Sequence, residues 1–156
     1  ENTGAPVVLV LTRQNLPILE GTVNGARENV KKGAYVVSDA ANPVAQIIAT
    51  GSEVQLAVAA QKALAEEGIA VSVISMPSWE LFDKQSQEYK DSVILPEVKA
   101  RLAVEMAHPM GWHKYVGDKG DVLGIETFGA SAPGDRVIKE YGFTVENVVS
   151  KVKALL

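Results

Sequence analysis

The chain has 156 residues, no cysteine and a formal net charge of −4, with 22% charged and 47% hydrophobic residues. That length suits one domain or slightly more, able to close a core without covalent staples. The missing cysteine excludes disulfide frameworks, thiol nucleophiles, zinc–thiolate sites and Fe–S clusters. The acidic balance argues against a nucleic-acid or anionic-membrane surface. The longest aliphatic run, Val7 to Leu11, is far short of the ~20 residues that a membrane span needs. No basic stretch followed by an apolar one marks a signal peptide. The chain opens on Glu1 rather than Met and is expected to be processed or cut from a longer protein.

In chain order, Ala5 to Thr12 reads as a buried strand, aliphatic and largely β-branched. Residues 14–33 carry Gly21, Gly25 and Gly33 among polar clusters without a firm period, which predicts a linker. The domain proper is then expected to begin at Ala34. Tyr35–Ser38 predicts a short strand, and Ala45–Thr50 a strand buried on both faces. Ser52 with Gln55 has the spacing of a capping box, opening a helix from Glu53 to Glu67 that Gly68 closes. Val71–Met76 predicts a third strand, stopped by Pro77. Ser78 caps a short helix through Phe82, and 83–93 turns from irregular to helical.

Arg101–Met106 predicts the next strand, and a short helical segment between Gly111 and Gly117 precedes the strand Val122–Ile125. A helix opened by Ser131 and Pro133 ends at Gly142, with the proline just inside its start. Thr144 caps a last helix whose Val145, Val148, Val149, Val152 and Leu155 form one stripe. Strands alternating with helices predict an α/β fold: three α/β/α layers around a mostly parallel five-stranded sheet.

Several patterns could carry chemistry. Thr50-Gly51-Ser52-Glu53 lies between a strand and a helix, where open α/β sheets bind ligands and a helix N-terminus attracts anions. It matches neither GxGxxG nor GxxxxGK[ST], and Glu53 repels an anion there, so a plain helix start is the commoner reading. The two histidines, His108 and His113, are five apart and lack a third ligand at metal spacing. Glu105 at a strand end with His108 just behind is the best acid–base pair available, although a polar strand end explains it equally. Gly117-Asp118-Lys119-Gly120-Asp121 lacks EF-hand spacing and reads as a solvated turn. Trp79, Trp112 and Tyr115 read as packing more often than as a pocket lining. Arg13, directly after an apolar strand, stands where a guanidinium can meet a phosphate, against the commoner alternative of a surface salt bridge.

At these residues the sequence resembles transketolase. The resemblance runs through Leu11-Thr12-Arg13-Gln14-Asn15-Leu16-Pro17, then Ile48-Ala49-Thr50-Gly51-Ser52-Glu53-Val54 and Ser75-Met76-Pro77. It continues through Phe82-Asp83-Lys84-Gln85 and Lys114-Tyr115-Val116-Gly117. It closes on Thr127-Phe128-Gly129-Ala130-Ser131-Ala132-Pro133 and Gly142 to Val148. In order, these cover nearly the whole chain and look like the C-terminal domain with the end of the domain before it. The resemblance implies three segments: 1–13 from the preceding pyrimidine-binding domain, 14–33 an interdomain linker, and 34–156 the C-terminal domain.

It further implies a cytoplasmic, homodimeric parent of the pentose phosphate pathway that uses thiamine diphosphate and Mg²⁺. Such a parent moves a two-carbon ketol unit from a ketose phosphate to an aldose phosphate. The implied partners are the rest of that chain, its dimer mate and a sugar phosphate, with no nucleic acid or membrane. The family's metal and diphosphate signature has no counterpart here, so cofactor-binding, metal and catalytic residues are expected to be none, and the isolated chain inactive. One site residue transfers: the arginine that contacts the substrate phosphate maps onto Arg13. The segment 7–11 then looks like a strand cut from its sheet, expected to be mobile in solution or to dock on its own domain or on a neighbour. The rival expectation is a regulatory-ligand or subunit-interaction module of a related thiamine-diphosphate enzyme, such as a 2-oxo acid dehydrogenase E1 component or deoxyxylulose phosphate synthase.

Overall fold

The computed structural model describes residues 4, 6–23 and 25–156. Its centre is a five-stranded sheet in the order β1-β3-β2-β4-β5, formed by β1 (Tyr35–Ser38), β2 (Ala45–Ala49), β3 (Val71–Ser75), β4 (Ala100–Val104) and β5 (Asp121–Leu123). Strands β3, β2, β4 and β5 run parallel, and β1 adds antiparallel to the β3 edge with an irregularity between Val36 and Ser38. The mostly parallel α/β sheet expected from the alternation is therefore present. β2 and β3 are buried at every residue, as strands covered by helices on both faces must be.

Two cores follow from this layering. On one face, α3 (Glu53–Glu66) and α8 (Val145–Ala154) cover the sheet, packing Ala57, Ala60, Leu64, Val148 and Val152 on Ile47, Val73 and Leu102. On the other face, α4 (Trp79–Asp83), α5 (Gln87–Val93) and α6 (His113–Val116) bury Phe82, Val93, Tyr115 and Val116 against Ile48, Ile74 and Ala103. Each fully buried large side chain contributes about 1.5–3 kcal/mol of transfer free energy. α7 (Gly134–Glu140) precedes α8 and places Ile138 against the first core.

Two buried glutamines are satisfied by hydrogen bonds and serve as ties. Gln46 on β2 donates to the Val93 carbonyl at 3.0 Å and accepts from the Leu95 N–H at 3.0 Å, pinning the α5–β4 loop. Gln61 on α3 donates to the Val71 carbonyl at 2.7 Å and accepts from the Ser38 hydroxyl at 2.6 Å.

Several local expectations are corrected. The strand anticipated over Ala5–Thr12 does not form among its described residues, and Ala5 lies outside them. Residues 6–12 make no ladder, and Val8 and Val10 are 82% and 91% exposed. An apolar β-branched run is a strand only where a sheet edge receives it, and β1 and β5 close this sheet without it. The stretch anticipated as irregular holds α1 (Glu20–Val23) and α2 (Ala26–Val30). α1 sits so tightly on β1 that a Cβ on Gly21 would come within 1.8 Å of the Val37 carbonyl oxygen.

The Ser52–Gln55 capping box is not made. Ser52 is in helical conformation, and its hydroxyl donates instead to the neighbouring Glu53 carboxylate. Pro133 precedes α7 rather than opening it. The side-chain caps at Ser78 and Thr144 do form, accepting from the N–H groups of Leu81 at 3.3 Å and Asn147 at 3.2 Å.

Candidate functional site

Sheet order places the candidate site. β2 connects through α3 to β3 on one side, while β4 lies on its other side. The chain therefore changes direction at the carboxyl ends of β2 and β4, the position at which open α/β sheets hold ligands. Thr50, Met76, Trp79, Glu105, His108 and Trp112 line a cleft of about 280 Å³ there.

Two carboxylates define its electrostatics. Glu53 is 4% exposed, and its Oε2 accepts the Met106 N–H at 3.2 Å, fastening the start of α3 to the end of β4. Burial raises its pKa, opposed by the bonds from Ser52 and Met106. Glu105 is half-buried, and burial followed by repulsion from Glu53 pushes its pKa up to about 7. Glu80 lines the same cleft.

Folding favours the protonated form of Glu105, whose ordinary value is 4.5. This group leaves stability unchanged below about pH 4.5, removes stability as pH rises to 7, and exerts its full penalty above that. Glu105→Gln therefore raises Tm at pH 8 and changes it little at pH 4.5. After discounting for solvent screening, the gain is about 1–2 kcal/mol, a few degrees in thermal melts. An equal Tm change at both pH values would refute the charge penalty.

The structure brings Glu105 and His108 into one cleft, but His108 is exposed and its Nδ1 accepts the Met110 N–H at 3.1 Å. His113 is exposed on α6. Among the described residues, no three His, Cys, Asp or Glu side chains converge as metal ligands. The Gly117–Asp121 turn is structural: Asp121 pairs with Lys151 at 2.7 Å and accepts the Val122 N–H at 2.8 Å. Trp112 and Tyr115 are buried, and the Trp79 and Trp112 rings meet edge-on at 5.1 Å. Packing thus absorbs the aromatics, although Trp79 and Trp112 also face the cleft. The N-terminus of α3 is closed to an anion by Glu53.

Arg13 lies in the exposed arm and enters none of the ion pairs among the described residues. Its neighbour Gln14 lines a cleft with Ser52, Gln55, Met106 and Phe143, and Leu16 and Pro17 line another with Gly51 and Ser52. The arm therefore passes along the carboxyl rim and holds Arg13 beside it. Sequence reading missed the Glu53–Glu105 pairing. Its one signal was an acidic residue directly after β4 and another at the start of the helix that follows β2, which becomes meaningful only once strand order is known.

The family model for the transketolase-like C-terminal domain matches residues 33–144. A transketolase of Geobacillus stearothermophilus is 60% identical over the whole chain, and one of Bacillus subtilis 58%. The chain spans 24% of the length of each of these relatives. Among solved structures, transketolase from Leishmania mexicana superposes with a TM-score of 0.84 at 41% identity over 92% of this chain and 20% of that one. A transketolase of Pichia stipitis in complex with a sedoheptulose phosphate gives the same TM-score at 40% identity over the same shares. The chain belongs to the transketolase-like C-terminal domain family.

Proposed function

We propose that this chain is the C-terminal part of a transketolase that transfers a two-carbon ketol unit between sugar phosphates. One observation carries the reading: 60% identity along the whole chain to a protein named transketolase, of which it spans 24%. On this reading, residues 34–156 are the C-terminal domain, 14–33 the connection to it, and 1–13 the end of the preceding pyrimidine-binding domain. The parent is a cytoplasmic homodimer of the pentose phosphate pathway.

Thiamine diphosphate and Mg²⁺ belong to the parent reaction, but the residues present here do not fit them. Among the described residues no acidic or imidazole cluster could hold the metal, and the N-terminus of α3 that could face a diphosphate carries the buried acidic Glu53 in its first turn, which disfavours an anion there. The cofactor is therefore assigned to the rest of the longer chain, and the contribution of this part is Arg13, presented to a substrate phosphate. The longer protein is expected to catalyse ketol transfer with thiamine diphosphate and Mg²⁺, and the 156-residue chain to catalyse none. Calorimetry of the chain with both should give no specific heat, and a micromolar isotherm would overturn the assignment.

A further inference from the structure

The face opposite α3 and α8 carries a second cleft, of about 490 Å³, between the end of α4, α5, the α5–β4 loop and α6. Its charges are Lys90, Lys99, Arg101 and Lys114 against only Asp83 and Asp91, in a chain whose net charge is −4. Positive charge is thus concentrated here against the overall balance.

The two acids are already engaged. Asp83 holds Lys114 at 2.5 Å and the Tyr115 hydroxyl at 3.2 Å, and Asp91 holds the Gln87 amide at 2.7 Å. Lys90, Lys99 and Arg101 enter none of the ion pairs among the described residues.

Arg101 is the fixed charge at the centre. Its two terminal nitrogens donate to neutral carbonyls, those of Leu95 at 2.8 Å and Tyr115 at 3.2 Å, while its Nε is buried with no partner. The loop bearing Leu95 is itself pinned by Gln46, so the guanidinium cannot swing away to find a counter-ion. Desolvation works against its charge and Glu97 offsets this only in part. A half-buried guanidinium hydrogen-bonded only to carbonyls is left with its charge only partly compensated.

We propose that this cleft binds a small phosphate-bearing metabolite, whose phosphate is held by Lys90 and Lys99 over the anchored Arg101 guanidinium. The cleft volume lies within the ~300–1,000 Å³ of metabolite sites, and Ile94 and Pro96 offer an apolar wall for the remainder of the ligand. The site is separate from Arg13, which lies at the carboxyl rim near Ser52, away from the α4–α6 face.

The test is calorimetric titration of the 156-residue chain with inorganic pyrophosphate, at constant ionic strength balanced with sodium chloride. Saturable binding is expected. Lys90→Ala combined with Lys99→Ala should weaken it about tenfold or more, since each charge-assisted contact carries at least that factor. These two side chains are at the surface and partly exposed, so the double variant keeps its fold. Lys62→Ala, on α3, should leave the affinity unchanged. Amide shifts on titration should fall in residues 83–101 and 114–115. No saturable binding, an unaffected double variant, or loss of binding in Lys62→Ala would each overturn the proposal.

Discussion

Gly33→Ala is expected to be strongly damaging, costing about 4 kcal/mol or more and lowering Tm by roughly 8–16 °C. Gly33 joins α2 to β1 with φ at +83°, a left-handed conformation that costs an alanine about 1–2 kcal/mol. The greater part of the loss is steric. A Cβ there would lie 2.2 Å from the Phe82 nitrogen and 2.4 Å from the Ser78 oxygen, both backbone atoms of the α4 turn. That turn cannot retreat, because the Ser78 N–H donates to the Gly33 carbonyl at 3.0 Å and Phe82 is 2% exposed in the second core.

Gly51→Ala separates the two effects. Its φ is +56°, but nothing lies within 4 Å of the added methyl, so it carries the conformational cost alone, about 1–2 kcal/mol. Comparable losses in thermal melts of the two variants would refute the steric account.

Much of this architecture was legible because local signals and tertiary demands agree. β2 and β3 read as continuous aliphatic runs because helices cover both faces, and the caps at Ser78 and Thr144 were visible because each side chain reaches its N–H within three residues. The failures have the opposite cause. Val7 to Leu11 has the composition of a strand, but its partner edge is not supplied by this sheet. Ser52 looked like a cap, but a buried Glu53 next to it offers its hydroxyl a stronger, charged acceptor.

The same limit applies to the sites. Arg13 could be singled out from its place in a linear motif. The Glu53–Glu105 pair and the Arg101 cleft join side chains far apart in sequence, the cleft drawing on several elements, and strand order alone brings them together. Both depend on side chains that each look ordinary in isolation: an acid at a helix start and an arginine at a strand start.

Arg13→Ala in the longer enzyme is expected to raise KM for phosphorylated sugars about 10- to 100-fold, with unphosphorylated sugars unaffected. Arg13 is exposed and enters none of the ion pairs among the described residues, so its removal leaves folding within about 0.5 kcal/mol. An exposed guanidinium without a structural ion pair has both edges free for a phosphate dianion. A charge-assisted contact of that kind carries about 1.5–3 kcal/mol, which corresponds to the KM change at about 1.4 kcal/mol per tenfold.

The phosphate is remote from the bond being broken, so its binding energy is held equally in ground state and transition state, and kcat should move little. Arg13→Lys should recover only part of the loss, because an ammonium supplies the charge without the planar two-point contact. An equal KM increase for phosphorylated and unphosphorylated sugars would refute the phosphate role, and a fall in kcat alone would move Arg13 from binding to chemistry.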